Sequence, residues 1–272
     1  LTEGLIIYSC TPSIEWPGRA GVKIALVHLS RGTWRASCTI GATTTNGVIN
    51  SYLQLSDGDT ALSPLQLASN ADICFSGHYL MRQGFVITSE QRKQILRMNS
   101  DNDEVIFQYI RGDDINNDPS QSSGSYVINF GTRNLAECES RYPECLRIVR
   151  DLVKPERDKV KSKAERESWW KFARSRPQLE TYAETLSHVI AQPFTAKYIF
   201  PTFVPARSVF AHPLVIIVRP TFGIYGCLQS SIHEKWVWQH CLTSLDLLRY
   251  TASTVLSTFP FPLVINDLDE IS

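Results

Sequence analysis

Glu156-Arg157-Asp158-Lys159 brings two carboxylates and a lysine together in one short string. Those are the residue types of a magnesium-dependent nuclease, in which paired carboxylates hold the metal beside a lysine. The string lies in a helical pattern, however, and opposite charges surround it at salt-bridging spacing. A solvated helix face is the simpler reading. His233-Glu234 lacks the second histidine of a metalloprotease helix, and His212, His233 and His240 share no ligand spacing. His28 reads as a strand residue. No Ser/His/Asp arrangement is legible, so the residues offer no catalytic group and no metal site.

A methyltransferase acting on an exocyclic base amine needs an Asn/Asp-Pro-Pro-aromatic loop to hold the flipped base. Asn117-Asp118-Pro119-Ser120 comes nearest, with one proline and no aromatic. Gly223-Ile224-Tyr225-Gly226 has the wrong spacing for a turn that holds a dinucleotide or S-adenosylmethionine. No cofactor site is expected in this chain.

The strongest local signal is basic. Lys154, Arg157, Lys159, Lys161, Lys163, Arg166, Lys171, Arg174 and Arg176 outnumber Glu156, Asp158, Glu165 and Glu167, and Trp169-Trp170 lies among them. Cations beside flat apolar rings suit a phosphate backbone. A salt-bridged solvent face with core or interface tryptophans accounts for the same residues. Charge alone leaves both readings standing.

These residues need elements to position them. A chain of 272 residues allows one large domain or two ordinary ones, and its 43% hydrophobic content supports a buried core. Formal net charge is zero, so nucleic-acid affinity has to come from local patches. Seven scattered cysteines without a C-x-x-C argue against a zinc ribbon and for a reducing, cytoplasmic setting. No secretory leader is visible, and the longest apolar run, Pro213 to Val218, has strand length, so no membrane partner is expected. The sequence opens on Leu1 and runs at once into apolar residues, which suggests a piece of a longer protein.

Strands are expected at Leu5–Tyr8, Val22–Leu29, Gly84–Thr88, Tyr126–Gly131, Lys197–Phe200, Leu214–Val218 and Ile224-Tyr225. Ala36–Ile40 and Val48-Ile49 would form a hairpin around Thr45-Asn46-Gly47. Residues 51–72 are polar and turn-rich, a plausible module boundary. Thr88-Ser89-Glu90-Gln91 offers a helix start, and Asn116–Gly124 reads as loop. Helices are expected over 135–167 with a kink or restart at Pro155, over 178–190 with Leu179, Tyr182, Leu186 and Val189 on one face, and over 231–242.

Several strings, taken in order, resemble one family. Trp16-Pro17-Gly18-Arg19-Ala20, the Val22–Leu29 strand and Arg31-Gly32 are similar to the late catalytic domain of the MmeI-like, type IIG or IIL restriction–modification enzymes. Gly84–Ile87, Tyr109–Asp114, Tyr126–Gly131, Val153–Lys159, Trp169-Trp170, Arg174–Pro177, Gly226–His233 and Arg249 through Pro262 look like the target-recognition region that follows. The set covers most of the chain.

The resemblance implies an α+β fold: the remnant of a methyltransferase β-sheet (1–66), then a mixed α/β DNA target-recognition domain (67–272) with short strands and three main helices. It implies a parent adenine-specific DNA methyltransferase that uses S-adenosylmethionine, with the methyl-donor site and catalytic loop upstream of Leu1. The expected partners are double-stranded DNA and that upstream region of the same polypeptide; this chain alone would not methylate. Lys154, Arg157, Lys159, Lys161, Lys163, Lys171, Arg174 and Arg176 are the expected phosphate contacts, which set register without carrying sequence information. Gln192, Lys197 and Arg207 are the candidates for reading base edges. The alternative is an interaction module docking subunits of a phage-defence complex, with Trp169, Trp170 and Trp236 as anchors.

Overall fold

Apolar residues spaced along Leu5–Glu15 make strand β1 the hub of the first sheet. A computed structural model describes residues 4–19, 21–51, 53–56, 64–119, 124–244 and 247–262 of this α+β chain. It divides into two units, Leu1–Leu65 with Thr243–Leu247 and Gln66–Leu242 with Leu248–Ser272.

In the first unit β1 pairs antiparallel with β2 (Lys23–Arg31) and parallel with β3 (Cys38–Ile40). The hairpin partner of β3 is β4 (Thr43–Thr45), turning at Gly41, whose φ of 56° favours glycine. The turn expected at Thr45-Asn46-Gly47 is therefore displaced. Val48-Ile49 forms β5 beside Ile7 of β1 and pairs on its other side with β6 (Leu55–Ser56). Ile7, Cys10, Cys38 and Ile49 form a small core.

The second unit holds two four-stranded sheets. β7 (Cys74–Ser76) is followed by β8 (Val86–Thr88), helix α1 (Ser89–Met98), β9 (Ile106–Ile110), α2 (Gly112–Asn117) and β10 (Ser125–Ile128). The start of α1 follows its sequence signal, with Thr88 and Gln91 closing a reciprocal capping box. Part of the expected Asn116–Gly124 loop is instead helical, as α2 starts at Gly112 with the Asp114 carboxylate accepting from the N-cap Arg111 backbone N–H, and runs to Asn117; residues 120–123 lie outside the described residues.

The helix expected over 135–167 is four short helices: α3 (Leu135–Arg141), α4 (Pro143–Leu152), α5 (Lys154–Arg157) and α6 (Lys163–Glu167). Pro143 forces Tyr142 out of the helical region, to φ −131° and ψ 48°, and so ends α3. Pro155 starts α5, and the Ser162 hydroxyl caps α6 by accepting from the Glu165 N–H. Cys145, Leu146 and Val149 of α4 reach the core.

Helix α7 (Pro177–Thr185) stops short of the expected 190, and His188–Pro193 becomes strand β11. Val189 therefore lies in a sheet and not on a helix face. Val189, Ile190 and Ala191 are all buried, which is the pattern of a central strand covered on both faces. After β11 come β12 (Thr195–Ala196), β13 (Thr202–Pro205), β14 (Ser208–Phe210), β15 (Leu214–Ile217), α8 (Phe222–Leu228), α9 (Ser231–His240), β16 (Leu242–Ser244) and β17 (Leu247–Arg249). Ile224-Tyr225 is thus helical, since the Thr221 hydroxyl caps α8 by accepting from the Ile224 N–H. Lys197–Phe200 is not a strand.

The sheets run β14-β9-β10-β8 and β13-β11-β15-β7. The first packs on α4 and on Trp169 and Phe172. At the entry to β8, a Cβ on Gly84 would come within 2.8 Å of the side chains of Leu152 and Val153, so glycine lets α4's end approach. The second sheet packs on α8 and α9 through Ile190, Val215, Ile217, Ile224 and Val237.

Candidate nucleic-acid interface

The basic stretch separates into three kinds of cation. Arg157 is internal. It is 1% exposed; its Nη1 donates to Glu165 at 3.2 Å and its Nη2 to the Lys171 carbonyl at 3.2 Å. Burial pushes its pKa down, partly offset by Glu165. It ties the α5 turn to the segment beyond α6 and is not available to a phosphate. Sequence placed it among the contacts because only its type and spacing were visible.

A second kind is paired at the surface. Lys154 donates to Asp158 at 2.8 Å, and Lys163 lies 3.6 Å from Glu167. Lys171 donates to the Thr132 carbonyl at 3.0 Å and lies over the Trp170 ring. Arg166, whose guanidinium donates to the carbonyls of Val160 and Lys161, closes the turn between α5 and α6. That turn carries the third kind. Lys159 and Lys161 are exposed, and their ammonium groups meet no carboxylate among the described residues.

Arg174 and Arg176 come together beside Tyr79. Residues 79 and 174 exchange backbone hydrogen bonds at 3.4 Å, and the Arg174 guanidinium lies over the Tyr79 ring. Arg176 Nε donates to the Gly77 carbonyl at 3.2 Å. A Cβ on Gly77 would come within 2.5 Å of the Ala211 carbonyl oxygen, so glycine is what lets these two backbone segments touch. His212 completes the group, 5.1 Å from the Tyr79 ring. Sequence spacing gave His212 no role.

The base-reading candidates divide as well. Gln192 is 1% exposed, and its amide is committed to the backbone. Its Oε1 accepts from the Phe200 N–H at 3.0 Å and its Nε2 donates to the Pro193 carbonyl at 3.1 Å. Gln192 therefore shapes the 194–200 loop from inside and does not face outward. The loop's far end is held by Gln229, which donates to the Pro201 carbonyl, and its near end by Thr195 pairing with Arg249. What the loop presents is Tyr198, 70% exposed with Lys197 over its ring, and Phe200, 52% exposed. Arg249 lies over Phe194 beside them. Arg207 is elsewhere: it donates to the Asp103 carbonyl and covers Phe107 at the rim of a 690 Å³ cavity.

That cavity also receives the His78–Glu180–Asn129 network. Glu180 Oε1 accepts from Asn129 at 3.2 Å and lies 3.3 Å from His78 Nε2. The His78 hydrogen bond, then Asn129, hold the Glu180 pKa below its ordinary value against desolvation. A lowered carboxylate contributes stability that is fully present above its unfolded pKa and lost as pH falls through the folded value. Glu180→Ala is therefore expected to lower the melting temperature at pH 7, with the gap to the unsubstituted protein narrowing below about pH 4. A gap independent of pH would show that the carboxylate's charge contributes nothing.

The tryptophans offered as docking anchors are occupied internally. Trp169 is buried in the core, Trp170 Nε1 donates to the Arg133 carbonyl, and Trp236 Nε1 donates to Thr258. Among the described residues no helix is long and apolar enough to cross a membrane.

No known protein-family profile matches the sequence, and no curated protein matches it. A solved structure does: the Type IIL restriction-modification enzyme MmeI in complex with DNA, at 17% identity and a TM-score of 0.67. The match covers 94% of this chain and 35% of that one, so the chain spans about a third of that enzyme's length. At this identity the likeness concerns architecture: over 94% of its length, the chain has the fold of one part of a restriction–modification enzyme.

Proposed function

We propose that this chain is the duplex-DNA recognition portion of a restriction–modification DNA methyltransferase, with 67–272 as the target-recognition domain. The observation that carries the reading is the shared fold with an enzyme solved on DNA. The cations Lys159, Lys161, Arg174 and Arg176, which meet no carboxylate among the described residues, and the aromatic-tipped loop at Tyr198 support it. Lysines and arginines free of carboxylates release counterions when they meet phosphates. A loop held rigid from inside presents its side chains at little entropic cost.

In this reading 1–66 closes the sheet of an S-adenosylmethionine-dependent adenine methyltransferase, and the upstream part of the same polypeptide supplies the catalysis. The exposure of Leu26, Val27 and Leu29 along β2 is consistent with such a neighbour, since exposed apolar strand residues mark contact surfaces. No methyl transfer is assigned to the residues of this chain.

The test is selection of sites from a random duplex pool by the purified chain, followed by a salt titration on the enriched sequences. An enriched motif whose affinity falls steeply with salt is the expected result. Salt-sensitive binding without enrichment would limit the chain to gripping phosphates. Absence of binding at low salt would overturn the reading and favour the subunit-docking alternative.

A further inference from the structure

Three segments distant in sequence place two arginines, a histidine and a hydroxyl around one spot. Arg174 and Arg176 come from the strand-like run ahead of α7, Ser76 from β7, and His212 from the turn before β15. Neither arginine meets a carboxylate among the described residues: Arg174 lies over the Tyr79 ring, and Arg176 Nε donates to the Gly77 carbonyl. His212 Nδ1 lies 3.0 Å from the Ser76 hydroxyl. Its backbone N–H donates to the His78 carbonyl, but the His78 ring turns the other way, toward Glu180 and the Phe210 carbonyl. Among the described residues, the charged groups acting on His212 are the guanidinium groups of Arg176 and Arg174. Burial, then Arg176 and Arg174, push the His212 pKa below its ordinary value.

The two guanidinium groups meet no counter-charge among the described residues and oppose a proton on His212; an anion among them removes both costs. Helix α7 adds to the same field. Its N-cap is Arg176 and no side chain caps it, so the positive end of a nine-residue helix lies where the arginines gather, although Glu180 in its first turn, committed to His78 and Asn129, offsets part of that field. The Ser76 hydroxyl is suited to both states of the ring. It can donate to Nδ1 of the neutral imidazole or accept from N–H of the charged one, which leaves Nε2–H for an outside acceptor.

We propose that Arg174, Arg176 and His212 form a phosphate-binding site in which His212 takes up a proton as the phosphate binds. The proposal rests on the DNA reading for its natural ligand, a backbone phosphodiester; inorganic phosphate offers the same oxygens. The sign follows from linkage. A bound anion raises the His212 pKa above its free value, so binding consumes a proton and affinity rises as pH falls. The rise is confined between the bound and free values and cannot exceed about tenfold per pH unit for one proton.

Two measurements test it. In the first, duplex-DNA affinity is followed by fluorescence anisotropy from pH 5 to 8 at fixed salt, for the unsubstituted chain and for His212→Gln. The expected result is tighter binding at lower pH that His212→Gln flattens, while Lys159→Ala, in the α5–α6 turn and not among the charges acting on the histidine, weakens binding but keeps the slope. In the second, the imidazole carbon-bound protons of the unsubstituted chain are titrated by NMR with and without duplex DNA, and with and without inorganic phosphate, which needs no variant to fold. A His212 pKa raised by both ligands supports the site. DNA binding with an unmoved His212 pKa overturns the site and leaves the DNA reading standing. A His212 pKa raised by inorganic phosphate in a chain that binds no DNA supports the site and overturns the DNA reading. No response to either ligand overturns both.

Discussion

Arg157→Ala is expected to destabilise the second unit by about 2–4 kcal/mol, the cost of leaving a buried carbonyl unpaired and a void in the packing. The substitution orphans the Lys171 carbonyl, leaves Glu165 without its cation and opens a void beneath the α5 turn, where the guanidinium is 1% exposed. Arg157→Met, which restores volume without charge, should recover part of the loss, because Glu165 is 30% exposed and can hydrate. Lys159→Ala, two residues on and exposed, is expected within about 0.5 kcal/mol of the unsubstituted protein. Chemical denaturation of the three variants at neutral pH separates these cases. An Arg157→Ala variant within about 1 kcal/mol of the parent would mean that the buried contacts are not what holds the turn.

The contrast between Arg157 and Lys159 marks where sequence reading stops. Both are cations in one helical string, and composition treats them alike. What divides them is the Lys171 carbonyl reached from fourteen positions away, a contact made only when the chain returns past α6. Gln192 repeats the lesson. Its type suited base reading, yet strand β11 buries it on both faces and turns its amide to the backbone of Phe200. Local signals were legible where the cause was local. The Thr88–Gln91 capping box, the β-branched run at Leu214–Ile217 and the Ser231 helix start all formed as their residues indicate. They misled where tertiary pairing decided. Val189 continued an amphipathic helical period but joined a sheet, and Ile224-Tyr225 carried strand propensity but followed a capping threonine into a helix. His212 had no readable signal, since Ser76 lies 136 positions from it.

A division of labour among polar groups follows. Arg157 and Gln192 lie inside and the half-buried Glu180 lines a cavity; all three fix the paths of the segments from which other side chains project. Lys159, Lys161, Arg174 and Tyr198 lie outside on those segments. Loss of an internal group should therefore weaken any binding through stability and loop order. Loss of an external one should change binding with the fold intact. A melting curve alongside each binding curve distinguishes the two classes.

Lys159 and Lys161 are the sharpest case of the external class. On the DNA-recognition reading, each contributes a phosphate contact, and each lost contact lowers the slope of log affinity against log salt by about 0.9. The Lys159→Ala/Lys161→Ala double variant should therefore lose nearly two units of slope and about 30-fold in affinity near 0.15 M salt, for every duplex sequence alike. Its melting temperature should be unchanged, because neither ammonium group has a carboxylate partner among the described residues to lose. Lys163 supplies the internal control. It already lies 3.6 Å from Glu167, which stays behind as an unpaired negative charge when the lysine is removed. A phosphate gained by Lys163 is offset by the carboxylate it would have to leave, so Lys163→Ala should alter the slope less than either neighbour. Equal slopes for the double variant and the parent would remove the α5–α6 turn from the interface and leave phosphate contact to the Arg174–Arg176 cluster.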